Sequence, residues 1–229
     1  KTSLNINNSL SSVKIVNVFT LDELGMMKEL YDLLPLTVNN KQQKNLKKQW
    51  LQNYNKELDL IYLKKIKEVI GDFKMDNLLD NKGKEIFGLF HESFKPLPLH
   101  ADSGFDEKKI IYKQLLTPLS NFGGTVIFKN RWIGRSTTFT VDEEELKFIP
   151  SKGQNERSNK HIIEGKNFDK QIHKKYLSHI DINNLKGMEL DLIYDWKIGE
   201  TLIFDRSQIH SASSKIDEKK LGLTTFTIK

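Results

Sequence analysis

The spacing of apolar positions changes partway along the chain. Early on it is mostly helical. VKIVNVF (13–19) predicts a short strand, and TLDELGMMKELYDLLP (20–35) predicts a helix. Thr20 and Glu23 have capping-box spacing, Phe19 and Leu24 have the spacing of a hydrophobic staple, and Pro35 marks the end. A second helix is expected near 56–70, where Leu58, Ile61, Ile66, Val69 and Ile70 make one broad face and Gly71 is placed as a C-cap.

From about residue 86 the pattern becomes that of strands. IFGLFHESF (86–94), IIYKQLLTPL (110–119), GTVIF (124–128), MELDLIYDW (188–196), ETLIFD (200–205) and LGLTTFTI (221–228) are short, rich in β-branched and aromatic residues, and broken by Gly, Pro and Asn. Helices first and strands afterwards predict an α+β, mainly β chain built on a β-sandwich or double-stranded β-helix, with the N-terminal helices packed on it. Residues 129–187 are less regular. They hold Lys- and Asn-rich stretches and one expected helix, FDKQIHKKYLSHI (168–180), and read as a large insertion over one end of the β core. No repeat or low-complexity linker interrupts the chain, so 1–229 is expected to be a single domain, with 1–85 as an N-terminal strand and supporting helices and 86–229 as the β core.

Composition narrows the chemistry. The chain has 229 residues, 38% of them hydrophobic, which is enough to bury a core. No apolar run approaches the roughly 20 residues of a membrane span. The opening KTSLNINNSL lacks the apolar centre of a secretory signal, and a cytoplasmic location is the expectation. There is no cysteine, which excludes disulfides, Cys-ligated zinc, iron–sulfur clusters and Cys nucleophiles. The net charge of +6 and basic clusters at KQQKNLKKQW (41–50) and KKIK (64–67) permit an anionic partner such as nucleic acid. No RNA-binding signature or Arg-rich stripe accompanies them, and a Lys-rich solvated surface accounts for the excess.

The histidines separate into classes. His91 lies inside an apolar strand and is read as a packed or surface-facing residue. His161 and His173 fall in the insertion and are expected to be solvated. His179 and Asp181 form one His-x-Asp pair, and His100 and Asp102 form another in LPLHADSGF (97–105). Residues spaced i, i+2 on an extended segment point the same way, so either pair can offer an imidazole and a carboxylate to one ion. His210, which follows the Gly-led strand GETLIFD, supplies a distant third ligand. Two His and one carboxylate on one face of a metal form the facial triad of non-haem Fe(II) oxygenases. The same donors suit zinc in a cupin-like protein. A β-sandwich module that binds carbohydrate or nucleic acid, with incidental histidines, is the reading from another class.

Four motifs in order resemble those of the 2-oxoglutarate- and Fe(II)-dependent dioxygenases, including their prolyl-4-hydroxylase-like and phytanoyl-dioxygenase-like members. They are LHAD (99–102), LLTPLSNFGGTVIF (115–128), WKIGETLIFDRSQIHSA (196–212) and KKLGLTTFTI (219–228). The resemblance covers about 86–229. It favours His100 and Asp102 over His179 and Asp181, because only the former pair places the Gly-Gly hairpin between the metal ligands. It implies Fe(II) held by His100, Asp102 and His210, with 2-oxoglutarate as co-substrate and O2 as oxidant. Many members use an Arg on the last strand to hold the distal carboxylate of 2-oxoglutarate; here no Arg follows Arg206, and Lys220, ten positions after His210, takes that place. Strand alternation groups Lys220 with Gly222 and Thr224, a cation beside small residues, whereas Lys219 shares its face with Leu221 and Leu223. Tyr112 is a candidate hydroxyl donor to the same site, with Gln114 on its face. Asp102 favours hydroxylation over halogenation, since the related halogenases lack that carboxylate. The insertion is expected to supply much of the substrate wall, with Arg131, Trp132 and Arg135 of NRWIGRSTTF (130–139) as candidates. A small-molecule substrate is expected, with prolyl or peptidyl hydroxylation and nucleic-acid demethylation as alternatives on the same fold.

Overall fold

Helix α1 (Leu21–Leu33) begins at the box foreseen for it. The Thr20 hydroxyl accepts from the Glu23 amide, and the Glu23 carboxylate accepts from the Thr20 amide at 2.8 Å. Helix α2 (Lys56–Ile70) is capped by the Asn55 side chain and stops at Gly71, whose φ of 75° suits glycine. Its buried face is Leu58, Asp59, Tyr62 and Ile66. Two of these carry polar atoms and escape an apolar count. Asp59 is tolerated because its carboxylate accepts from the Trp50 indole at 2.9 Å and the Asn53 amide at 2.7 Å.

The computed structural model describes residues 13–40, 45–79, 83–104, 108–151, 154–215 and 218–229. The opening KTSLNINNSL and the first four residues of the 41–50 basic cluster lie outside these. Strand β1 (Lys14–Val16) leads. The strands β2 (Leu36–Asn40) and β3 (Asn45–Leu51) pair antiparallel, and β4 (Lys74–Met75) and β5 (Leu78–Leu79) are short. Next come β6 (Glu85–Ser93), β7 (His100–Ala101), β8 (Ile111–Pro118) and β9 (Gly124–Arg131). The 129–187 segment then contributes β10 (Thr137–Phe139), α3 (Glu143–Leu146), β11 (Glu156–Ser158), α4 (Lys170–Tyr176) and a 3-10 turn at Ile182–Leu185. The chain ends with β12 (Leu190–Asp195), β13 (Thr201–Asp205), β14 (Gln208–Ala212) and β15 (Lys220–Ile228).

Among the described residues these strands form two sheets. The larger runs β1-β13-β8-β15-β6-β3-β2, with β4 on β15 and β5 on β6; the smaller runs β11-β10-β7-β14-β9-β12. The central strands β13-β8-β15-β6 and β7-β14-β9-β12 exchange the chain between sheets. This is the double-stranded β-helix, or jelly roll, that the strand pattern implied.

The apolar cores lie largely on the outer faces. Met27, Leu30, Leu58 and Tyr62 of the two helices pack with Trp50, Phe87, Phe90 and Leu223 of the larger sheet. Trp50 is fully buried, and full burial of a large apolar side chain is worth about 1.5–3 kcal/mol. On the other side Phe168, Leu177, Ile180 and Leu185 pack with Leu99, Phe128 and Ile209 of the smaller sheet. The 129–187 segment is therefore less an appendage than expected. It adds two strands to the smaller sheet and covers its outer face, and the helix foreseen at 168–180 is confined to Lys170–Tyr176. Between the sheets, Leu116, Ile127, Leu202, Phe204 and Trp196 fill part of the space, and beside them a cavity of about 420 Å³ opens.

Candidate functional site

His100 lies on β7, Asp102 just beyond it, and His210 on β14, where it pairs directly opposite His100. Register thus brings together residues 110 positions apart in the sequence. The two rings lie 4.2 Å apart, centroid to centroid. Asp102 Oδ2 is 3.6 Å from His100 Nε2 and 3.5 Å from His210 Nε2. One ligand atom from each of the three lies within 4.8 Å of the others, and among the described residues no other group of three His, Cys, Asp or Glu does so.

The hydrogen bonds around the triad prepare it for an ion. His100 Nδ1 lies 2.7 Å from the Pro98 carbonyl and His210 Nδ1 lies 3.0 Å from the Gln208 carbonyl. A carbonyl only accepts, so each Nδ1 carries its hydrogen, and in the neutral rings each Nε2 turns a lone pair toward Asp102. The Gln114 amide donates to Asp102 Oδ2 at 3.2 Å and steadies the carboxylate. The 3.5–3.6 Å gaps between imidazoles and carboxylate exceed a normal hydrogen bond. They fit ligands held about 2.1 Å from a shared ion.

Charge follows the same logic. Burial alone would raise the Asp102 carboxyl, but His100 and His210 beside it hold it well below the usual carboxylate range. His100 is opposed by burial and raised by Asp102, while His210 is lowered by burial and by the charge of His100.

Farther into the cavity, Lys220 is only 4% exposed. Its ammonium donates to the Gly124 carbonyl at 3.2 Å and lies 4.0 Å over the Trp196 ring, and no carboxylate among the described residues pairs with it. Burial pushes this amine down to about 7. The stem packs against Gly123, where an added Cβ would come within 2.7 Å of Lys220 Cδ. Lys219 points elsewhere: it is 52% exposed and paired with Glu92.

His91 and Thr224 complete this end of the cavity. His91 Nε2 and the Thr224 hydroxyl are 2.9 Å apart, and burial, with the Lys220 charge behind it, pushes His91 down to about 3, so the ring is neutral. His91 Nδ1 and Gln114 Oε1 are both buried without a hydrogen-bond partner among the described residues. The sequence alone reads His91 as a packed or surface-facing residue. The signal it missed is register: His91 stands opposite Gly222 on β15, between Lys220 and Thr224.

Several expected residues are elsewhere. The Tyr112 hydroxyl donates to the Ile70 carbonyl at 3.0 Å and does not line the cavity. Three steps along β8, from Gln114 to Ile111, match two along β15, from Phe226 to Ile228. This bulge breaks the alternation that placed Tyr112 with Gln114. Arg131 is turned to Asp205 and Ser207. Trp132 is buried against Phe139, its indole donating to the Arg135 carbonyl. Arg135 is 80% exposed and paired with Glu156. None of these three lines the cavity; the insertion reaches it through Thr138, Gln154, Asn155 and Arg157. His161 is not solvated but fully buried on the Asn184 carbonyl and Phe139, and His173 is half-buried on the Ile180 carbonyl. The two members of the His179–Asp181 pair are engaged separately. His179 lies 3.0 Å from the Leu97 carbonyl, and Asp181 caps the 3-10 turn.

No protein-family model matches the chain, and no curated protein sequence matches it. Solved structures do. The chain is similar to HygX from Streptomyces hygroscopicus, whose structure holds nickel, 2-oxoglutarate and hygromycin B. The TM-score is 0.51 at 12% identity, over 95% of this chain and 83% of that one. It is similar to the epimerase SnoN in complex with Fe3+, alpha ketoglutarate and nogalamycin RO, with a TM-score of 0.52 at 10% identity, over 96% and 79% of the two chains. The carbocyclase SnoK gives 0.52 at 7% identity, over 96% and 80%. At these identities the likeness is one of fold. The jelly roll is the one used by non-heme alpha ketoglutarate dependent enzymes.

Proposed function

We propose that the chain is an Fe(II)- and 2-oxoglutarate-dependent oxygenase that hydroxylates a C–H bond of a small molecule. One observation carries the reading. A facial set of two imidazoles and a carboxylate shares a cavity with a buried ammonium that has no counter-ion among the described residues. A zinc site needs no such cation, whereas a dicarboxylate chelated at the metal leaves its far carboxylate to be neutralised.

Each residue then has a task. His100 and His210 hold the metal through Nε2, with tautomers fixed by the Pro98 and Gln208 carbonyls. Asp102 supplies the anionic ligand, and Gln114 orients it. Iron(II) with 2-oxoglutarate and O2 supplies the oxidising power: 2-oxoglutarate becomes succinate and CO2, and one oxygen atom enters the substrate C–H bond. Lys220 neutralises the distal carboxylate, with the Trp196 face supporting the ammonium. Neutral His91 and Thr224 stand beside it as hydrogen-bonding wall. Leu116 and Phe204 line the cavity with apolar surface and limit water. At about 420 Å³, toward the low end of the roughly 300–1,000 Å³ of ligand sites, the cavity must hold 2-oxoglutarate as well. That suits a small substrate.

The test needs no substrate. Apoprotein is loaded anaerobically with Fe(II), 2-oxoglutarate is added, and the visible charge-transfer band of the chelate is recorded. The band is expected in the parent chain and absent in His210→Ala. A folded parent chain that gives no band at any 2-oxoglutarate concentration refutes the proposal.

A further inference from the structure

Among the described residues the cavity is lined by three cations, Lys47, Arg157 and Lys220, against a single carboxylate, Asp102. With the metal on Asp102 and 2-oxoglutarate on Lys220, two positive charges remain. Neither has an acidic partner among the described residues. Arg157 donates to the Asn155 carbonyl at 2.7 Å and lies 4.7 Å from the Phe148 ring, contacts that orient the guanidinium without neutralising it. The Lys47 side chain has no ion pair among the described residues, and its charge reaches His91 and His100.

The registers show how these charges face the metal site. In the smaller sheet Arg157 pairs with Thr138, Thr138 with His100, and His100 with His210. Residues paired across a sheet share a face, so Arg157 ends the row that carries both metal-ligating histidines. Two strand spacings of about 4.8 Å put its Cα roughly 10 Å from that of His100. In the larger sheet Lys47 pairs with His91, which pairs with Gly222. Lys47 therefore lies on the opposite wall, one strand beyond the histidine next to the 2-oxoglutarate end. A cation from each sheet flanks the part of the cavity that 2-oxoglutarate leaves open.

Resting on the oxygenase reading above, we infer that the substrate is a small organic acid whose carboxylate is bound by Arg157 and Lys47 while its reacting carbon lies at the metal. Arg157 offers a planar fork suited to a carboxylate, and Lys47 a point charge. Holding the acid at the end of the histidine row leaves a few carbon atoms to span the distance to the metal. A neutral or cationic substrate would leave both charges unpaired in the cavity.

The experiment uses the full chain loaded with zinc in place of iron and saturated with 2-oxoglutarate, so that nothing turns over. Ligand-observed NMR measures binding of hexanoate and 3-phenylpropanoate beside hexanamide and 3-phenylpropanamide. The acids are expected to bind in the millimolar range or tighter, and the amides at least about tenfold more weakly. Arg157→Ala and Lys47→Gln are each expected to weaken the acids by about tenfold or more and to leave 2-oxoglutarate affinity within about threefold. Both residues are partly exposed, so either variant serves if the other misfolds. Equal binding of acids and amides, no binding of either acid to the 2-oxoglutarate-loaded protein, or acid binding indifferent to both substitutions would overturn the inference and leave the cofactor assignment standing. Failure of 2-oxoglutarate itself to bind would instead remove the oxygenase reading, and this inference with it.

Discussion

Lys220 offers the sharpest quantitative test. In the folded chain its amine is held near 7 against an ordinary 10.5, by burial with no compensating anion among the described residues. Each pKa unit is about 1.36 kcal/mol, so keeping the ammonium charged in that position costs about 5 kcal/mol relative to water. Two signs follow. For stability, the unfolded chain holds this proton up to about 10.5 and the folded chain only to about 7, so the contribution of Lys220 to stability rises with pH across that window. Lys220→Met removes the buried charge, and at pH 6 the apoprotein should gain about 1–3 kcal/mol in chemical denaturation, a gain that shrinks as pH rises. For binding, the proposed role of Lys220 requires the ammonium. Below about pH 7 the affinity should be flat with respect to this group; above it the affinity should fall by up to about tenfold per pH unit, with uptake of a proton on binding. Calorimetry in buffers of different ionisation enthalpy measures that uptake. Lys220→Met should lose the pH dependence and weaken 2-oxoglutarate by about 2–3 kcal/mol, roughly 30- to 150-fold. The reasoning is refuted if the variant binds 2-oxoglutarate as the parent does, or if Lys219→Met, which removes an exposed partner of Glu92, produces the loss instead.

Other substitutions separate the cavity from its surroundings. Gly222→Ala would place a Cβ within 2.6 Å of Trp196 Cη2, displacing the ring that supports Lys220; destabilisation of about 1–3 kcal/mol and weaker 2-oxoglutarate binding are expected by thermal melting and calorimetry. Tyr112→Phe removes only the bond to the Ile70 carbonyl, and should cost about 1 kcal/mol of stability while leaving 2-oxoglutarate affinity unchanged. Thr20→Ala should lower stability by about 1 kcal/mol through loss of the capping box, with metal binding unaffected. Gln114→Leu keeps the volume but frees Asp102 Oδ2; a measurable loss of metal affinity is expected in a competitive chelator titration, and an unchanged affinity would refute the orienting role.

What could be read from the sequence was what depends on neighbours in the chain. The α1 box, the Gly71 cap, the main core strands and the His100-x-Asp102 spacing are local patterns, and each has its counterpart in the structure. Missed features depend on register. The seven-residue strand β3 carries NLKKQWL, whose adjacent lysines hide the alternation, yet it pairs along β6 and sets Lys47 opposite His91. Tyr112 was misplaced by one bulge, which no composition rule signals. Arg131, Trp132 and Arg135 are close in sequence and diverge in space, because Asp205, Phe139 and Glu156 each claim one of them. Arg157 gave no local sign at all; only β10, three residues long, ties it to the row of His100.

The architecture explains how a polar cavity survives inside a β-sandwich. Sheet interiors ordinarily have to be apolar, since facing sheets bury each other's side chains about 10 Å apart. Here much of the apolar burial is moved outward, onto α1 and α2 on one sheet and onto the 129–187 segment on the other. The inner faces can then carry Lys220, His91, His100, Asp102 and His210 beside the apolar Ile127, Leu202 and Phe204. This arrangement predicts a trade-off. An uncompensated buried cation lowers the stability of the empty protein, and the same charge is what a bound dicarboxylate would satisfy, so ligand binding and folding are coupled through Lys220. Stabilisation by saturating 2-oxoglutarate should accordingly be larger in the parent chain than in Lys220→Met, although the variant is the more stable of the two when empty.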